Sequence, residues 1–109
     1  MQIEELNIFT KLFDTYGKLL SKKQFEVMDK FLNYNLSESE LAELESGSRQ
    51  SVHDAISKAK KQLIEFEQMC GVVKLKEDCA SKLNNAKAFL TNNKSQEAVG
   101  LIDDVLNNL

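Results

Sequence analysis

Gly47 to Leu63 reads GSRQSVHDAISKAKKQL, and the reading of this stretch decides the fold. Ser48 is a side-chain acceptor standing directly before a helical pattern, the position of an N-cap. Val52, Ile56, Ala59 and Leu63 follow at steps of four, three and four, which lines one face of an α-helix. If that face is buried, Arg49, Gln50, His53, Asp54, Ser57 and Lys60 or Lys61 turn outward. That is the side a recognition helix offers to a major groove. Arg49, Gln50 and Ser51 stand where side chains reach base edges. Arginine suits guanine, glutamine suits adenine, and the lysines Lys58, Lys60 and Lys61 suit phosphates. The same face also fits a protein contact or a polar surface that only stays in water.

Just upstream, LSESEL (36–41) carries the signature of a helix start. Ser37 and Glu40 form a capping box, with Leu36 and Leu41 as its staple. The helix it opens is short, with Leu41, Ala42 and Leu44 on its apolar side, and ESGS (45–48) ends it. Two helices joined by about three residues read as a helix-turn-helix over residues 37–63.

Further toward the N-terminus, Leu6, Phe9, Phe13, Tyr16 and Leu20 alternate steps of three and four and predict a first helix ending near Leu20. LSKKQF (20–25) repeats the capping device with Ser21 and Gln24, and Phe25, Met28, Phe31 and Leu32 give a second helix its apolar face. Toward the C-terminus the stripe of the fourth helix continues through Leu63, Phe66, Cys70 and Val73, a heptad seam that calls for a partner: other helices of the chain or a second copy. Gly71 predicts a break. A series in shifted phase follows, Leu75, Cys79, Leu83, Ala86 and Leu90, and after TNNKS (91–95) a last helix runs over 96–109 with Ser95 as N-cap and Val99, Ile102 and Leu106 as its stripe. The expectation is an all-α helix-turn-helix bundle, a single helical domain over residues 1–109, with a long fourth helix and a packing arm over about 74–109.

Composition agrees. With 109 residues, no Pro, no Trp, four Gly, 42% hydrophobic and 28% charged residues, the chain suits one helical core and not disorder. No apolar run approaches the ~18 residues of a spanning helix, and the N-terminus lacks the order of a signal peptide, so a cytoplasmic protein without membrane contact is expected. The net charge of −3 is unevenly spread. Residues 1–47 carry five basic and nine acidic side chains, whereas residues 48–61 carry Arg49, Lys58, Lys60 and Lys61 against Asp54 alone. The one basic island lies on the candidate reading helix.

No catalytic machinery is predicted. His53 is the only histidine, and ~25 Å of helix separates it from Cys70. Cys70 and Cys79 are expected as buried free thiols on apolar stripes. Glu38 and Glu40 serve a helix start, Asp103 and Asp104 point in different directions, and no glycine-rich phosphate loop occurs, so neither metal nor cofactor is expected.

Taken together, LFDTYGKLLSKKQFEVMDKFL (12–32), LSESELAE (36–43), SRQSVHDAISKAKKQLIEFE (48–67) and EAVGLIDDVLNNL (97–109) resemble the YlxM-like family of small bacterial helix-turn-helix proteins. The resemblance implies a fold like region four of sigma factors with a helical C-terminal extension. It also implies a regulatory role in the signal recognition particle pathway, with DNA, the particle's RNA or its GTPases as partners; a homodimer fits the seam and the paired half-sites of such proteins. At the turn this chain has Glu45, Ser46 and Gly47 where the family tends to have an aromatic residue, a variable one and a valine. Losing a buried valine there loosens the packing by ~1–3 kcal/mol, unless Leu44 takes its place by a one-residue shift.

Overall fold

Three of the four helices in the first half, all but the first, begin where a side chain satisfies a free N–H group of the first turn. In the computed structural model, which describes residues 1–45 and 47–109, α1 spans Ile3–Tyr16, α2 Lys22–Asn33, α3 Glu38–Leu44, α4 Arg49–Cys70, α5 Val72–Thr91 and α6 Ser95–Asn107. A 3-10 turn, Gly17–Leu19, follows α1. Both capping boxes form. Ser21 Oγ accepts from Gln24 N–H at 3.2 Å and Ser37 Oγ from Glu40 N–H at 3.1 Å, with Gln24 and Glu40 reaching back to the cap N–H groups. Ser48 Oγ accepts from Ser51 N–H at 3.0 Å and opens α4. The described residues are all-α.

The chain divides into two compact units, Met1–Gly71 and Val72–Leu109; the second contains the arm expected from residue 74. In the first unit α4 packs against α1, α2 and α3. Val52, Ile56, Ala59 and Leu63 are buried, as are Phe9, Leu12, Phe13, Tyr16, Val27, Met28, Leu32 and Leu41 that surround them in the core. Gly17, still right-handed helical at φ −54°, carries the end of α1 into the 3-10 turn and has little room for a side chain: a Cβ there would stand 3.0 Å from two ring carbons of Phe13, whose ring lies tilted 5.0 Å from that of Phe25. Tyr16 closes the far end, its hydroxyl donating to Glu67 Oε1 and its ring 6.1 Å from Phe66.

Several expectations change. Leu44 does not replace the missing plug: it is 62% exposed, because Leu41 and Ala42 bracket the core direction and a residue two or three positions on falls outside that arc. In its place Glu45 pairs with Lys30 at 2.9 Å, which holds the lysine pKa above its ordinary value by hydrogen bond and charge. Ser46, the middle of that turn, lies outside the described residues. The seam is not continuous. Gly71 takes the left-handed conformation (φ 63°) that terminates a helix, its N–H donating to Glu67 C=O at 2.8 Å. Leu63 is therefore core, Phe66 packs half-buried on Tyr16, Cys70 is exposed and not the buried thiol expected, and Val73 lies beyond the break in α5.

In the second unit α5 packs on α6 through small residues. Ala86, Ala98 and Val105 are buried, while Cys79 is half-buried. The expected stripe of α6, Val99, Ile102 and Leu106, is exposed: Ala98 and Val105 set the inward direction, Val99 and Leu106 directly after them are turned ~100° away, and Ile102, about half that angle off, sits at the edge of the contact. Ser95 is not a cap either: it is the first helical residue, and the flanking Lys94 offers no side-chain acceptor. The turn is held from the α5 side. Asn93 adopts φ 61°, Lys94 N–H donates to Phe89 C=O at 2.8 Å and Asn93 N–H to Leu90 C=O at 3.2 Å, the paired bonds of a Schellman motif. Lys82 and Asp104 bridge the two helices at 2.7 Å; the pair raises the lysine pKa and lowers that of the carboxyl. Its contribution is complete above the ordinary carboxyl range and is lost as pH falls through the depressed Asp104 value.

These caps make unequal demands on a substitution. Ser37→Ala should lower stability by ~0.5–2 kcal/mol in urea unfolding. Ser95→Ala should stay within ~0.5 kcal/mol, and a loss as large as that of Ser37→Ala would mean the α6 start is held by the serine after all.

Candidate nucleic-acid interface

Burying Val52, Ile56, Ala59 and Leu63 commits the opposite arc of α4 to solvent, so the exposed face is a consequence of the core. Arg49, Gln50, Ser51, His53, Ser57, Lys58 and Lys61 are exposed on it. They border three different hollows along that face. Arg49, Gln50 and His53 line a shallow hollow with Glu38 of α3; Ser51, Asp54 and Lys58 line a second with Ser21, Lys23 and Gln24 of α2; Ser57 and Lys61 belong to a third, beside Ile64 and Glu65.

Two of the expected reading residues are already engaged. Gln50 Nε2 donates to Asp54 Oδ1 at 2.9 Å, one turn along the helix. His53 Nδ1 sits 3.0 and 3.1 Å from the two carboxylate oxygens of Glu38, tying α4 to α3. Arg49, Lys58 and Lys61 make no ion pair among the described residues and point into solvent.

Lys60 departs from the expectation of a phosphate contact. Its ammonium lies 5.2 Å from the centroid of the Phe9 ring, 5.7 Å from that of Phe31 and 3.4 Å from Glu5 Oε1, with the side chain only 24% exposed. A lysine stem covers apolar surface while its head stays near water, so a position one turn from Ile56 and one from Leu63's neighbours serves the core edge. Periodicity alone assigns such a residue to the polar arc; its reach decides otherwise.

Lys22 and Lys23 were missed by sequence reasoning. α1 and α3 carry carboxylates in their first turns, Glu4 and Glu5, Glu38 and Glu40, as the helix dipole favours. α2 and α4 carry none, and begin instead with Lys22, Lys23 and Arg49. The electropositive ends of two helices thus bear cations, which costs a few tenths of a kcal/mol each and builds positive potential facing the cleft between Lys23 and Lys58. The signal was legible as KK directly after a cap, a place where acids are favoured.

The described residues hold no cluster of three or more His, Cys, Asp or Glu arranged to bind a metal ion, and none of their helices is long and apolar enough to cross a membrane. Lys60 separates structure from binding in a test. Lys60→Ala should lower stability by ~1 kcal/mol through lost packing on Phe9 and Phe31, whereas Lys61→Ala should stay within ~0.5 kcal/mol. Equal urea midpoints for the two variants would remove the structural role.

Residues 3–102 match the family model described as "Putative helix-turn-helix protein, YlxM / p13 like". A UPF0122 protein of Clostridium acetobutylicum is 34% identical over 108 residues, covering 94% of this chain and 92% of its own length. One from Clostridium kluyveri is 30% identical over 105 residues, 96% and 95% of the two chains, and one from Acetivibrio thermocellus is 44% identical over 62 residues, 57% and 53%. Similarity extends from the first helix through the helix-turn-helix into the C-terminal extension, and the chain belongs to this YlxM / p13-like helix-turn-helix family.

Proposed function

We propose that the protein is a non-enzymatic regulatory or accessory factor that contacts nucleic acid through the outward face of α4 and the N-terminus of α2. The observation that carries this reading is the set of unpaired cations, Arg49, Lys58 and Lys61 with Lys22 and Lys23, gathered on and beside the one helix whose core packing turns it outward. Membership of a helix-turn-helix family supports it. The resemblance to YlxM-like proteins supports a place in the signal recognition particle pathway, in the cytoplasm, with the particle's RNA, a DNA site or the pathway's GTPases as partners and a homodimer as the working form.

The electrostatics favour backbone contact over base reading. Few cations mean few neutralised phosphates, and Glu38 and Asp54 place negative charge on the same face. Gln50 must leave Asp54 before its amide can pair with adenine. Those two carboxylates favour a second reading, in which the helix-turn-helix docks on the particle's protein or RNA without reading DNA sequence.

Salt titration of duplex DNA binding tests the first reading. The slope of log K against log salt should be near −0.9 per neutralised phosphate, and Lys23→Ala with Lys58→Ala should flatten it by about two contacts on every sequence alike. Arg49→Ala with Gln50→Ala should erase sequence preference instead. Asp54→Asn, which removes a charge and loosens Gln50, should tighten binding. Absence of salt-dependent DNA binding, together with retention of the particle's RNA or GTPase by the native protein but not by the Arg49 and Lys58 variants, would replace the first reading with the second.

A further inference from the structure

The second unit is too small to be its own explanation. It is a 38-residue pair of helices, Val72–Leu109, whose buried side chains are Ala86, Ala98 and Val105. Units below ~40 residues generally need disulfides, metals or association to persist. Both cysteines are free, and no metal cluster is present among the described residues.

Five of its large apolar side chains are exposed on one side of it. Lys82 lies nine residues before the end of α5 and Asp104 nine after the start of α6, so their bridge shows the helices run antiparallel and marks one edge of their contact. On helices of ~100° per residue, Leu83 and Leu90 of α5 and Val99, Ile102 and Leu106 of α6 turn to the opposite edge. They therefore share one face, with exposures from 37% at Ile102 to 61% at Leu106. The charges bordering that face differ in sign between the helices. Lys87 is one turn from both Leu83 and Leu90, and Lys76 lies two turns before Leu83; Asp103 is one turn from both Val99 and Leu106. Lys76, Lys87 and Asp103 are exposed and make no ion pair among the described residues. α6 contains no lysine or arginine at all.

We propose that two copies of the chain pair through this face about a two-fold axis, α5 of one lying over α6 of the other, so that the two hairpins complete a four-helix bundle. The charges select this partner and this pairing. Setting α5 on α6 of the second copy brings Lys87 toward Asp103 twice, with Lys76 ~16 Å farther along α5 near the C-terminal end of the partner's acidic α6, whereas α5 on α5 would oppose lysines. It also relocates the interface from the α4 stripe, whose Leu63 is core, to the hairpin. With ~20 Å of overlapping helix and helices ~10 Å apart, the face offers roughly 400 Å² per copy, at or below the low end of specific interfaces, so the dimer is concentration-dependent. Of the proposed function, this rests only on the working form being a dimer, and not on any nucleic-acid contact.

Sedimentation equilibrium of the full chain, without nucleic acid, tests it. The wild type should dimerise reversibly, and Leu83→Glu should abolish dimerisation while far-ultraviolet circular dichroism retains the helices of the first unit. Asp103→Lys alone, and Lys87→Glu alone, should each weaken self-association about tenfold, and mixing these two variants should restore a heterodimer of wild-type strength. A monomeric wild type at every concentration overturns the proposal together with the dimer. A dimer insensitive to Leu83→Glu, or charge variants that do not complement one another on mixing, overturns the proposed face while leaving a dimer standing. Salt-dependent nucleic-acid binding that persists in monomeric Leu83→Glu would keep the α4 reading independent of either result.

Discussion

The burial of one stripe of α4 organises the first unit. Val52, Ile56 and Leu63 each bring ~1.5–3 kcal/mol of apolar burial, and they do so against three other helices at once. The half-exposed surface ion pairs Lys30–Glu45 and Lys60–Glu5 belong to a class worth ~0–1 kcal/mol each, so they adjust the packing without determining it. Once that stripe is fixed, the rotation of α4 is fixed too, and Arg49, Lys58 and Lys61 have nowhere to go but solvent. The candidate interface is the far side of the core.

Much of this was legible because the signals were local. A serine with Gln24 or Glu40 three residues on can satisfy helix N–H groups whatever the rest of the chain does, and both boxes appear as read. Gly71 stops α4 because a left-handed residue is cheapest without a Cβ. What stayed hidden depended on distance or on reach. Which side of α6 faces α5 was decided by two alanines, Ala86 and Ala98, that allow close approach, while periodicity favours the larger Val99, Ile102 and Leu106. Lys60 looks like part of a polar arc until its stem is laid over Phe9 and Phe31. Lys23 joins the candidate interface only because α2 packs beside α4, a contact across 28 residues or more that no local pattern encodes.

The face also carries its own restraint. Each of the three hollows described beside α4 includes a carboxylate: Glu38 by Arg49, Asp54 by Lys58, Glu65 by Lys61. A surface built to coat nucleic acid would not be arranged this way, because each carboxylate repels the backbone that its neighbour attracts. Mixed charge instead suits a contact that forms only where shape and sign both match, which is the behaviour expected of an accessory factor acting on one structured partner.

Amide chemical shifts test the central claim most directly. Titrating the isotopically labelled chain with a short duplex DNA and with a structured hairpin RNA should move the amides of residues 21–24 and 49–61 first and most with at least one of them, the α5 and α6 amides following only if association changes. Shifts that leave the α2 and α4 N-termini untouched while moving another surface, or none with either nucleic acid, would contradict the account of α4 as a face turned outward for nucleic acid.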